Sequence, residues 1–369
     1  MSTRSCASRV ACGLVALAAL AAGPNARTAP GPTPAGVPGT GQVPGLRLGS
    51  SEFASEAFEL VARFDSGHRL FLEVLVTNIG VGDRNAAVIG HVIAPDGRVQ
   101  RFRKAKREGE WTLSPDGLRI ALGSIVFDRS ETRRFAIDKR LVKIDLALGP
   151  PRPAVAWPPS DAAFGLELLQ ASGEVTGSLW TDGMATPIAV RGTAALVHRW
   201  SDGLESRQVA RRIELFAPAG DTGVYYVELS ARDAPARRWI VVERAGRVLR
   251  ESEAFTAPPA QGPLALPRAL ALDSPGLAGR ATLGAELLRF DPLQDLKAPL
   301  RAVVRLVIQP ESIWSAADLA LDLRPEGDAR ASRIIGPGFA NVMFYEPPEN
   351  ARTGDRPADE GRTACASAY

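Results

Sequence analysis

Histidine, tryptophan and carboxylate are the residue types in this chain whose placement could support chemistry. The stretch Pro187–Trp200 (PIAVRGTAALVHRW) reads as one long strand, and past Gly192 it carries His198, Trp200 and then Asp202. Residues two apart on a strand share a face, so His198 and Trp200 point the same way. Two readings fit such a pair: a hydrogen-bonded core histidine beside a packing tryptophan, or one wall of a ligand cavity. His91, in the apolar run Asn85–Ala94, and Trp180 are the other residues expected to line or orient a bound molecule. Carboxylates on strand patterns are the remaining candidates for acid chemistry: Glu73, Asp145, Glu167, Asp202 and Glu228. A carboxyl buried among apolar side chains keeps its proton to higher pH and can act as a general acid. Acid-catalysed hydration or isomerisation would need one of them and a histidine to converge inside one cavity.

Several common site signatures are missing. There is no G-x-S-x-G elbow, no P-loop and no G-x-G-x-x-G. His68, His91 and His198 are far apart in sequence, without the close spacing of helical zinc motifs. No metal, no cofactor and no activated nucleophile is expected. The net charge is +3, with both signs interspersed. A nucleic-acid binder would gather Lys and Arg on one face, so that class is excluded.

The elements that must position these residues follow from the chain's periodicity. Arg4 and Arg9 precede a short apolar run, Val10–Ala22, with a small-x-small site at Ala19-Leu20-Ala21. Residues 1–22 read as an export signal, so a periplasmic or secreted location is expected, with an uncleaved anchor as the alternative. With that segment removed, Cys365 is the only cysteine and no internal disulfide can form. Residues 23–48 are rich in Pro, Gly, Thr and Ala and read as a disordered tether. Residues 347–369 read as a flexible tail.

Between tether and tail the pattern is strand after strand. Arg69–Asn78 sets Leu70, Leu72, Val74 and Val76 against Phe71, Glu73, Leu75 and Thr77. Pro95-Asp96-Gly97 and Pro115-Asp116-Gly117 are turns, and Arg98–Lys104 returns as the partner of Asn85–Ala94. Gly192, inside its strand, marks a bulge, a barrel corner or a close backbone approach. Phe164–Leu169, Val175–Thr181 and Ala302–Ile308 read as further strands, and Pro310–Asp318 and Gln294–Lys297 are predicted as short helical pieces. The whole argues an all-β protein of two barrels or sandwiches in tandem, over residues 49–200 and 201–346. A jelly-roll or carbohydrate-binding double sandwich is the competing architecture.

The run Thr77–Phe102 (TNIGVGDRNAAVIGHVIAPDGRVQRF), followed by Trp111-Thr-Leu-Ser-Pro-Asp-Gly-Leu and Gly123-Ser124, resembles the first part of the survival-factor-like proteins. Val190–Trp200, with Gly192 and His198, is similar to their mid-chain strand. The wider group includes the AttH-like proteins and the carotenoid 1,2-hydratase (hydroxyneurosporene synthase) family. The resemblance implies two tandem lipocalin-like, calycin-type antiparallel β-barrels that handle an apolar ligand. Survival-factor proteins are associated with sphingolipid handling and stress survival, and the hydratases add water across an isoprenoid double bond. The expectation is an exported binding protein for a hydrophobic small molecule, a lipid or isoprenoid, with transient membrane contact. The alternatives are an acid-catalysed isoprenoid hydratase or isomerase, and a carbohydrate-binding or structural β-sandwich.

Overall fold

The computed structural model describes residues 46–79, 83–131, 133–157, 164–231, 234–260, 265–294, 310–324 and 332–345. The expected export signal, the tether up to residue 45, the strand expected at Ala302–Ile308 and the tail lie outside the described residues. So does the helical turn expected at Gln294–Lys297, apart from its first residue.

Among the described residues, twenty strands and one short helix form two antiparallel sheets. The first holds β1 (Ser55–Phe64), β2 (Arg69–Thr77), β3 (Asn85–Ile93), β4 (Val99–Lys106), β5 (Thr112–Leu113), β6 (Arg119–Leu122), β7 (Ile125–Asp128), β8 (Arg134–Lys139), β9 (Val142–Leu148), β10 (Val155–Trp157), β11 (Phe164–Thr181) and β12 (Ile188–Ser201). A single helical turn, α1 (Glu205–Gln208), leads to the second sheet. That sheet holds β13 (Arg211–Ala219), β14 (Thr222–Ser230), β15 (Arg237–Arg244), β16 (Arg247–Ser252), β17 (Ala269–Ala271), β18 (Leu277–Phe290), β19 (Glu311–Leu323) and β20 (Ser332–Phe344).

Both sheets follow one plan. Each is a meander whose first strand pairs with its last, β1 with β12 and β13 with β20. Each curls round its own apolar interior, giving two tandem lipocalin-like barrels. In β1 the alternation sends Phe58, Leu60, Ala62 and Phe64 into the first barrel. It sends Val61 outward into a third apolar cluster, shared with Phe216, Tyr225, Trp239 and Trp314 of the second sheet. The barrels therefore pack against each other along a seam. Strands buried on both faces lose the apolar–polar alternation of a half-exposed strand, and β14 is buried at every position.

Two sequence expectations are corrected here. Pro310–Asp318 is not helical: its residues from Glu311 belong to β19, paired with both β18 and β20. Ile313 and Ala317 fill the second barrel while Trp314 packs into the seam. Burial on both faces spaces the apolar residues as a helix would, and the sheet pairing decides the outcome. Phe164–Leu169 and Val175–Thr181 are not separate strands but the two ends of β11, joined through bulges around Gln170–Gly173. That bulge docks the second barrel: the Ala171 amide donates to Glu243 Oε2 at 3.0 Å, and Arg152 bridges Glu243 and the Ser172 carbonyl. Gly192 marks a close approach. A Cβ there would lie 2.0 Å from the Arg63 carbonyl oxygen on the neighbouring strand.

Candidate functional site

β1 and β12 lie side by side, with Phe58 opposite His198 and Ala57 opposite Arg199. Opposed residues share a face and sequence neighbours do not. His198 therefore enters the first barrel, and Arg199 enters the seam.

The seam gathers charge from both barrels: Glu59 on β1, Arg199 on β12, Glu205 on α1, and Arg212 and Glu214 on β13. Arg212 donates to Glu214 Oε2 at 2.8 Å, to Glu205, and to the Tyr345 hydroxyl at 3.0 Å. The Tyr225 hydroxyl donates to Glu214 Oε1 at 2.7 Å. Arg199 reaches Glu59 at 3.2 Å and Glu205 at 3.6 Å. Three carboxyls thus meet two guanidiniums, and one carboxyl is in surplus. Glu59 is the least held: Arg212 stands 4.0 Å from it, and its Oε2 accepts no hydrogen bond among the described residues. An uncompensated buried charge costs several kcal/mol, so the surplus carboxyl keeps its proton. Burial pushes Glu59 up to about 8, with Arg199 opposing and Glu214 reinforcing. Burial works against ionisation of Glu205 too, but Arg212 and Arg199 outweigh it and hold that carboxyl below its usual range.

Beside this cluster lies a cavity of about 230 Å³. Its exposed surface is mostly apolar, from Phe71, Leu72, Leu75, Ile89, Phe290, Pro292, Trp314 and Met343, while Glu59, Glu73, His91, Arg199, Glu205, Arg212, Ser312, Asn341 and Tyr345 supply polar atoms. Phe71 stacks on Trp314 at 4.2 Å, one ring from each barrel. His91 leans on Phe290 at 4.8 Å. Burial, helped by the Arg101 cation, pushes His91 down to about 4, so its ring is neutral at neutral pH. The cavity falls just below the size range of drug-like sites, which suits a small molecule or one end of a longer one.

The other face of β1 and β12 carries a different polar centre. His198 is fully buried, with Nε2 at 2.7 Å from Glu56 Oε1 and Nδ1 at 3.1 Å from Glu167 Oε2. A neutral imidazole has one donor and one acceptor nitrogen. A carboxyl at each nitrogen therefore requires one extra proton, on the ring or on a carboxyl. The Arg47 amide donates to Glu56 Oε2 at 2.7 Å, and its guanidinium pairs with Glu167 and lies 4.5 Å over Trp200. Phe58 stacks on His198 at 4.3 Å, with Arg129 on its far side at 4.0 Å. Trp200 fits because residue 165 is glycine: a Cβ there would lie 2.0 Å from its ring. The second barrel has its own centre, in which Arg211 and Tyr226 both bond Glu228 at 2.9 Å. Arg211 and Glu228 also grip the backbone at Ala260. Among the described residues no group of three or more His, Cys, Asp or Glu could hold a metal ion.

Solved structures share this two-barrel arrangement. An AttH-like protein from Nitrosomonas europaea superposes with a TM-score of 0.59 at 15% identity, covering 85% of this chain and 100% of that one. The fold is AttH-like. CghA, in a crystal structure with Sch210972, has the same AttH-like arrangement, with a TM-score of 0.54 at 13% identity over 84% of this chain and 95% of that one. No family model and no curated protein matches the chain in sequence.

On this AttH-like frame the four expected site residues separate. His198 and Trp200 stay together inside the first barrel, ring centroids 5.2 Å apart, and neither lines the seam cavity. His91 does line it. Trp180 is in neither place: it pairs opposite the exposed Lys143 on β9, and its indole donates to the Met184 carbonyl at 2.8 Å. Of the expected carboxylates, Glu73 lines the cavity, Glu167 holds His198, and Glu228 is paired inside the second barrel. Asp145 is in an exposed ion pair with Arg134, and Asp202 is exposed. Sequence reasoning missed Glu59, Glu56, Arg199 and Arg212. The available signal was a charged residue inside an otherwise apolar strand, as in AFELVAR and RRIELF.

Proposed function

We propose that the protein binds a small, largely apolar molecule with one oxygen-bearing end, such as a lipid or isoprenoid fragment, in the seam between its barrels. One observation carries this reading: an apolar cavity that both barrels line, with a protonated Glu59 in its wall. Apolar walls take up the hydrocarbon, and a neutral carboxyl can donate to a carbonyl or hydroxyl oxygen without a desolvated charge. Delivery outside the cytoplasm belongs to the same reading: residues 1–22 direct export, and the apolar ligand is exchanged in transient contact with a membrane. A second reading, acid-catalysed hydration or isomerisation of an isoprenoid, is favoured by Glu59 alone, since a carboxyl near 8 is a competent acid at neutral pH.

Native mass spectrometry of the purified protein, with organic extraction, tests the binding. An extractable apolar molecule is expected in the wild type and not in Ile89→Trp, which fills the cavity. Equal binding of geraniol by both proteins, with nothing extracted from either, would contradict the reading.

A further inference from the structure

The cavity wall carries a second ionisable group whose state is the reverse of Glu59's. Glu59 is opposite Glu73 across β1–β2, and His91 is opposite Phe71 across β2–β3. Glu59, Glu73, Phe71 and His91 therefore share one face and line one cavity. Two strand spacings and a two-residue offset put the Glu59 and His91 backbones roughly 12 Å apart, leaving room for a short conjugated system between the side chains. Among the described residues His91 has no ion-pair partner; its ring contact is Phe290.

We propose that the seam cavity shifts a proton within a β,γ-unsaturated carbonyl compound, Glu59 acting as the acid and His91 as the base. The proposal rests on the binding reading above and names its substrate class. The unprotonated nitrogen of His91 removes a proton from the carbon between the carbonyl and the double bond. The C–H electron pair becomes a new C=C bond as the carbonyl oxygen takes the Glu59 proton, giving a dienol. The imidazolium then protonates the far alkene carbon, and the enol O–H returns its proton to Glu59. The double bond ends in conjugation, and no oxidant, reductant or water is consumed.

The protonation states suit this division of labour. Burial holds the acid proton on Glu59 against Arg199, with Arg212, Glu205, Glu214 and Glu73 around it. Burial and Arg101 keep the His91 ring neutral. Both groups are in the working state between pH about 4 and about 8.

The test uses the full chain with isomesityl oxide, a small β,γ-unsaturated ketone, in D₂O. NMR follows its conversion to mesityl oxide, and ligand-observed saturation transfer follows binding. Expected is catalysed conversion with deuterium at the far carbon, and a pH profile falling below about 4 and above about 8. Glu59→Gln and His91→Phe, which keeps the tilted ring contact with Phe290, should each lose at least about a hundredfold in rate while binding persists. Binding without conversion, or conversion that survives both substitutions, overturns the proton shift and leaves the binding reading standing. Absence of binding overturns both.

Discussion

His198 and Arg199 are sequence neighbours, yet they serve two polar centres of opposite character. Inside the first barrel, both His198 nitrogens are occupied, and Glu56 and Glu167 are tied in turn to Arg47. That centre grips the segment Leu46–Leu48, the last residues of the expected tether, whose leucines pack on the barrel core. At the seam, among the described residues, three carboxyls share two arginines, one carboxyl oxygen is unpartnered, and a cavity adjoins it. Buried polar groups with every partner satisfied make structure. A buried acid with a surplus proton and space beside it makes a site.

The comparison can be broken most forcefully at the seam's arginine. Arg212→Ala strands Glu205 and Glu214 without their shared cation and should cost about 3–5 kcal/mol, read as a lower urea midpoint. His198→Phe keeps the stack on Phe58 but removes the imidazole shared by two buried carboxyls. It should cost about 2–3 kcal/mol and leave ligand binding at the seam intact.

The next effect sharpens the contrast through pH. Glu59 is raised on folding, from 4.5 to about 8. Its contribution to stability is complete below pH 4.5 and is lost as pH rises through about 8. His91 is lowered, from 6.5 to about 4, so its contribution is present above 6.5 and is lost as pH falls through about 4. Glu59→Gln should be within about 1 kcal/mol of wild type at pH 5 and should remove the decline, about 2 kcal/mol, between pH 6.5 and 8. His91→Phe should instead extend that decline down to about pH 4.5, because the opposing His91 gain between 4.5 and 6.5 is gone. Denaturant midpoints across pH check both. The smallest effect belongs to Trp180→Phe, which loses one hydrogen bond away from both centres. It should cost at most about 1 kcal/mol and change neither binding nor the pH profile.

The all-β character and tandem barrels were legible because half-exposed strands such as β9 alternate strictly and the turns carry Pro-Asp-Gly. That His198 and Trp200 share a face was legible too. Which face was not, because β12 is buried on both sides along its second half, and only the pairing with β1 and β11 decides. Glu59 and Arg212, charges inside apolar strands, were visible in the sequence, but their face was hidden for the same reason. A charge in a strand reads as a solvent-facing position until the opposite sheet is seen to cover it. β19 was misread as a helix where both of its faces are apolar.

Binding and the proton shift both require Glu59 to carry a proton at neutral pH. The direct measurement is the side-chain carboxyl ¹³C shift of Glu59, assigned by its loss in Glu59→Gln and followed from pH 3 to 10. A midpoint near 8 is expected. A midpoint at the ordinary glutamate value of 4.5 would contradict it.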